Sequence, residues 1–213
     1  MKSRLFKIFD DLKLYNPNVR SQGDKTCLHL NENAYTPPPG CLNTIVGMHE
    51  INLNEYERDG TLRLEERLAK LHGVNINQIL IDNGSCEILK HTFFSLDKRG
   101  TKILMPAHGW AYNNKLIHLN DLCVEYYELL CDEERKKYFF DLNDMKNRID
   151  KFSPDVLLIV TPNAFTGNLM SKHELCEILD YCSENTLVIV DQAYTEYSYN
   201  DDIVVKEIIV NGK

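Results

Sequence analysis

Two unbroken apolar runs, Val156-Leu-Leu-Ile-Val160 and Leu187-Val-Ile-Val190, do most to restrict how this chain folds. A strand with one wet face alternates apolar and polar side chains; a short run with no polar residue belongs to a strand covered on both sides. Between the two runs stands Ser171-Lys-His-Glu174, a Ser-x-x-Glu capping box that opens a helix. A doubly covered strand, a helix and another doubly covered strand predict parallel pairing with helices on both faces. The expected fold is therefore α/β, a three-layer, mostly parallel sheet.

The same alternation is read upstream. Helices are expected over 61–72 (apolar set Leu62, Leu64, Leu68 and Leu71, closed by Gly73), 86–96, 110–119 and 141–151. Strands are expected over 78–81, 101–105, 124–129, 155–161 and 186–190. Residues 3–15 read as a short amphipathic helix using Leu5, Ile8, Phe9 and Leu12. Residues 31–60 read as irregular, because Pro37-Pro-Pro39 interrupts helix and central strand alike. The organisation expected is an N-terminal arm, 1–60, followed by one domain, 61–213.

Composition narrows the class. A net charge of −8 with no basic stripe argues against a general nucleic-acid binder. Seven scattered cysteines without a Cys-x-x-Cys pair suit reduced thiols, not a disulfide frame or zinc site. Charges break the N-terminal apolar stretch too early for a signal peptide, and the apolar runs are too short to span a bilayer. No membrane partner is expected, and the expected location is cytoplasmic.

Ligands of open parallel sheets bind beyond the carboxyl ends of the strands, which selects four segments. In Asn83-Gly-Ser-Cys-Glu87, Gly84 frees the backbone, and the amides of Ser85 and Cys86 either face an anion or simply form a tight turn. Met105-Pro-Ala-His-Gly-Trp-Ala-Tyr112 carries the only Trp, which either stacks on a planar ligand or packs in the core. Thr161-Pro-Asn-Ala-Phe-Thr-Gly167 is either a close-approach loop or a plain connection. Asp191, after four apolar residues, either caps the next turn or meets a ligand cation; Tyr194 and Tyr197 can point the same way.

In this order the segments resemble the front part of a fold-type I pyridoxal-phosphate enzyme, nearest the histidinol-phosphate aminotransferase branch of the class I/II aminotransferases. Leu30-Asn-Glu-Asn-Ala-Tyr35 is similar to that branch's Leu-Asn-Glu-Asn-Pro-Tyr. Tyr56, ahead of Asp59-Gly-Thr-Leu-Arg63, matches its Tyr-Pro-Asp/Glu segment. Asn83–Glu87 resembles Gly-Asn-Gly-Ser-Asp-Glu, Thr161–Gly167 resembles Pro-Asn-Asn-Pro-Thr-Gly, and Asp191-Gln-Ala-Tyr-Thr-Glu-Tyr197 resembles Asp-Glu-Ala-Tyr-x-Glu-Phe. The resemblance spans about residues 28–198.

The resemblance implies pyridoxal 5'-phosphate as cofactor, with the amides of Ser85 and Cys86 on its phosphate and Asp191 on its pyridine nitrogen. It further implies Tyr194 on the phenolic oxygen and Tyr56 reaching the phosphate of a neighbouring subunit in a homodimer. Asn33 and Tyr35 fall near the substrate, an amino acid or amino-phosphate donor paired with a 2-oxo acid. Ala164 and Phe165 replace the family's Asn-Pro, which leaves Asn163, one residue early, for the phenolic oxygen. Strict counting puts Gly109 where a ring-stacking aromatic belongs, so Trp110 or His108 takes that task. The family's Schiff-base lysine lies in a Ser-x-Ser-Lys-type segment that these 213 residues do not contain. Lys206 and Lys213 lack that context. The expectation is a large domain without its catalytic lysine, inactive as it stands. A lyase of the same fold, similar to threonine-phosphate decarboxylase, and a non-catalytic domain binding a phosphate ligand or a partner are the alternatives. A nicotinamide-binding module is the weakest, since no Gly-x-Gly-x-x-Gly follows a strand.

Overall fold

The computed structural model describes residues 31, 33, 35–46, 61–96 and 99–198. The chain divides into two compact units, Met1–Gly60 and Thr61–Lys213. The expected helix over 3–15, Tyr56, Lys206 and Lys213 lie outside the described residues.

In the first unit the described segment is not wholly irregular: helix α1 spans Pro39–Val46. The proline that breaks a helix interior is well placed at its first position, where its missing N–H would have no intrahelical partner. Sequence reasoning took the proline run as a barrier; its last member is a start.

The second unit begins with α2, Leu62–His72, closed by Gly73 in the left-handed conformation (φ 65°). Of its apolar set, Leu68 is half-buried, whereas Leu62, Leu64 and Leu71 are exposed within the described structure. The strand expected over 78–81 does not form. A 3-10 turn at Ile76–Gln78 takes its place, closed by reciprocal bonds: Asn77 N–H donates to Asn75 Oδ1 and Asn75 N–H to Gln78 Oε1, each at 2.9 Å. Ile79 itself is extended, but residues 79–81 have no neighbouring strand among the described residues, so their β preference is not used in a sheet.

Next come α3 (Gly84–Ser95), β1 (Lys102–Pro106), α4 (Ala111–Leu119) and β2 (Cys123–Tyr127). A hairpin that the sequence did not announce follows, β3 (Leu129–Asp132) and β4 (Lys137–Phe140). The expected strand over 124–129 therefore breaks at Glu128, between β2 and β3. The unit continues with α5 (Leu142–Phe152), β5 (Val156–Val160), α6 (Lys172–Tyr181) and β6 (Leu187–Asp191). The capping box read in the sequence opens α6: Ser171 and Glu174 exchange bonds across its first turn.

Four parallel strands run β2-β1-β5-β6. Alternation along each strand sorts the core into two layers. On one face, Ile103, Met105, Leu158 and Val160 pack with Leu89 and Phe93 of α3 and Leu116 and Ile117 of α4. On the other, Leu104, Leu157, Ile159 and Val188 pack with Met145 and Ile149 of α5 and Leu175 and Ile178 of α6. This is the expected three-layer α/β arrangement.

The order also fixes where the layers part. From β1 the chain passes over one face through α4 to β2; from β5 it passes over the opposite face through α6 to β6. Adjacent strands whose connections leave in opposite directions define a topological switch point, and a crevice opens outside their carboxyl ends.

Candidate cofactor site

Three strands in a row, β1, β5 and β6, deliver the residues at that crevice. After β1 come Ala107–Trp110, after β5 comes Thr161, and β6 ends on Asp191 itself. The loops are stitched together. Thr161 N–H donates to Asp191 O at 3.0 Å, and Met170 N–H donates to the buried Thr161 Oγ1 at 2.8 Å. Asn163 is 2% exposed and clamps two loops. Its Nδ2 donates to His108 O across the switch point at 2.9 Å, and its Oδ1 accepts from the amides of Phe165 (2.9 Å) and Thr166 (3.3 Å). The Thr161–Pro162 peptide in this loop is cis.

Asp191 is half-buried and shares the parity of Ile189, so it lies on the face covered by α3 and α4. The amide of Ala193 donates to its Oδ1 at 3.1 Å, the turn cap that the sequence allowed. One amide is poor compensation for a desolvated carboxylate. Burial pushes its pKa above the ordinary 3.8, against the smaller opposite pull of that bond. No basic side chain among the described residues pairs with it. Tyr194, half-buried, follows in the same turn, ahead of a 3-10 helix at Thr195–Tyr197.

Trp110 stands just before α4, its ring 4.9 Å from that of Tyr112 at 35°. Both are partly buried against the α3/α4 layer, the same face as Asp191. His108 is more exposed, with Nδ1 3.7 Å from Glu128. Burial raises the pKa of the Tyr112 hydroxyl, and the thiol of Cys86 beside it adds to the rise. That contact brings the start of α3 up to the first turn of α4.

At the start of α3, Asn83 is the N-cap residue but supplies no side-chain bond, and Gly84 takes φ +75°. The first-turn amides of Ser85 and Cys86 precede any intrahelical acceptor and carry the positive end of the helix dipole. Asn33 and Tyr35 belong to the other unit; both are exposed, and Tyr35 N–H donates to Asn33 Oδ1 at 2.9 Å.

The aminotransferase class I and II family profile matches residues 24–211. This chain belongs to that family. Histidinol-phosphate aminotransferase from Brachyspira hyodysenteriae is 31% identical over 200 residues, which cover 93% of this chain and 53% of the relative. The crystal structure of histidinol-phosphate aminotransferase from Sinorhizobium meliloti in complex with pyridoxal-5'-phosphate superposes with a TM-score of 0.70. Its identity is 17%, over 81% of this chain and 45% of that one. L-threonine-O-3-phosphate decarboxylase from Porphyromonas gingivalis shares the fold at a TM-score of 0.59 and 20% identity, over 77% and 46% of the two chains. The chain spans about half the length of the relatives it matches.

Class I/II aminotransferases use pyridoxal phosphate, and the donors present suit its chemistry. They comprise an uncapped helix start for an anion, a carboxylate lacking a cation among the described residues, and a partly buried aromatic pair on the same face. Asp191, Ser85 and Cys86 stand at element ends, where the sequence places them. Asp82, whose side chain organises the turn into α3, is not among the expected site residues; an acidic residue directly before Asn-Gly is the signal that could have found it.

Proposed function

We propose that this chain forms the pyridoxal-phosphate-holding part of an aminotransferase that moves an amino group between an amino-acid or amino-phosphate donor and a 2-oxo acid. The observation that carries the reading is Asp191: a half-buried carboxylate at the end of β6, held above its usual pKa and lacking a cation among the described residues. A protonated pyridine nitrogen is the cation that such a group stabilises. When bound, the cofactor supplies an electron-withdrawing ring that weakens the bonds at the amino-bearing carbon.

The chain's own residues hold and shield that ring. Ser85 and Cys86 offer backbone amides to the phosphate, and Asp191 keeps the proton on the pyridine nitrogen. Tyr194 and Asn163 would serve the phenolic oxygen, one Nδ2 hydrogen of Asn163 being already given to His108 O. Trp110 covers one face of the ring and excludes water from it. The family resemblance assigns Tyr56 to the phosphate of a second copy in a homodimer, and Asn33 and Tyr35 to the substrate. The protein works in the cytoplasm; six described cysteines, Cys41, Cys86, Cys123, Cys131, Cys176 and Cys182, are free thiols, as a reducing compartment keeps them.

The likeness to a histidinol-phosphate aminotransferase supports a phosphate-bearing amino donor. The shared fold of the threonine-phosphate decarboxylase supports a lyase as the second reading. The test asks whether the 213-residue chain binds pyridoxal phosphate, and what a polypeptide joining it to a Schiff-base-lysine segment makes from histidinol phosphate and 2-oxoglutarate or, in parallel, from threonine phosphate. Glutamate formation is the expected result. Carbon dioxide from threonine phosphate selects the lyase, and failure to bind the cofactor at all overturns both.

A further inference from the structure

The start of α3 lacks the usual means of fixing a helix entry. Its N-cap residue makes no side-chain bond, and Gly84 at φ +75° is the most permissive residue the turn could contain. Yet amides that are to hold a phosphate need a fixed direction. The residue that supplies it is Asp82, which stands where the family motif quoted above has its first glycine.

Asp82 makes three bonds at once. Its Oδ1 accepts the Asn83 amide at 2.8 Å, its carbonyl accepts the Gly84 amide at 2.7 Å, and its Oδ2 lies 3.2 Å from Nε2 of His91. His91 sits two turns along α3, so the bond ties the turn back to the body of the helix that it opens. The other acid within reach, Glu87, is 4.0 Å from His91 and already engaged by Lys90 at 3.0 Å. That leaves Asp82 as the imidazole's working partner.

A solvent-facing ion pair on its own contributes little, but here the two oxygens of one carboxylate join the helix body to the amide of the turn. Asp82 consumes the amides of Asn83 and Gly84, and those of Ser85 and Cys86 stay available.

We infer that Asp82 and His91 are positioning residues, a latch that aims the Ser85 and Cys86 amides at the phosphate of the ligand. This rests on the reading of the site given above. The test titrates the 213-residue chain with pyridoxal phosphate and with inorganic phosphate, following the fluorescence of its single tryptophan, Trp110. Thermal melting and hydrogen exchange at residues 83–86 are measured in parallel.

His91→Ala is expected to weaken both ligands about five- to tenfold, the worth of one charge-assisted bond, with the melting temperature unchanged. Exchange at residues 83–86 should rise. His91→Gln, whose amide can still donate to Asp82, is expected to recover wild-type affinity within about twofold. Wild-type affinity in His91→Ala, or equal losses in the Ala and Gln variants, overturns the latch. No binding by the wild-type chain overturns the site reading itself, and the latch with it.

Discussion

At the carboxyl end of β6 the candidate site relies on a side chain, Asp191, anchored by a hydrogen-bonded sheet. At the start of α3 it relies on backbone amides, those of Ser85 and Cys86, presented by a turn without a side-chain cap. The first region is stitched to its neighbours by Thr161 and by the buried Asn163, and the second is tied chiefly to itself through Asp82 and His91. The difference follows from what each must hold. A cation needs one carboxylate in a place where desolvation makes the charge felt; an anion is served by several amides, whose identity matters less than their direction. The carboxylate side should therefore be sensitive to residue type, and the amide side to backbone geometry.

The largest expected effect is Asp191→Ala, which removes a charge-assisted bond and should weaken pyridoxal phosphate binding roughly a hundredfold by calorimetric titration. Binding within about threefold of wild type would remove the asymmetry between the two regions. Asn163→Ala leaves the His108 carbonyl and the Phe165 and Thr166 amides without their partner. It should cost about 2–3 kcal/mol of stability in urea unfolding. Ser85→Pro deletes one phosphate-directed amide in a turn where proline is tolerated, and about a tenfold loss of phosphate affinity is expected.

Asp191→Asn sharpens the contrast from another direction. Because the folded-state pKa of Asp191 is raised, its ionisation works against folding. The ligand-free wild-type chain should therefore lose stability relative to Asp191→Asn as pH climbs from the ordinary 3.8 through the raised value. Below 3.8 the two should converge, as thermal melts across that range would show. At neutral pH the variant should melt higher while binding the cofactor less well. Smallest of all is Ser85→Ala: its side chain is exposed and makes no cap, so phosphate affinity should stay within about twofold of wild type.

The sequence made the rigid region the more legible of the two. The run ending at Val160 is buried throughout, as expected of a doubly covered strand. The one ending at Val190 is the outer strand of the described sheet, with Leu187 exposed and Ile189 and Val190 partly buried. Both are strands, and the Ser171–Glu174 box between them opens a helix, so Asp191 stands at a strand end as the sequence implies. The turn into α3 was harder. Residues 79–81 carry strand-forming side chains and Ile79 is extended, but strand pairing is decided by neighbours, and none stands beside them among the described residues. Pro39 starts a helix where its sequence context suggests a break, because a proline does either depending on which side the helix lies. The clamp from Asn163 to His108 joins residues 55 apart; a single sequence carries no periodicity that links them. The exposure of Leu62, Leu64 and Leu71 was likewise invisible, since an amphipathic pattern shows which face is apolar and not whether anything covers it.

Pairing of Asp191 with a pyridine nitrogen is the central feature of the site, and one comparison isolates it. Wild type and Asp191→Ala are each titrated with pyridoxal phosphate and with its deaza analogue, in which carbon replaces the ring nitrogen, following Trp110 fluorescence at neutral pH. Wild type should prefer the true cofactor by about tenfold or more, and Asp191→Ala should show no preference. Equal binding of the two ligands by wild type, or an undiminished preference in Asp191→Ala, would contradict the assignment.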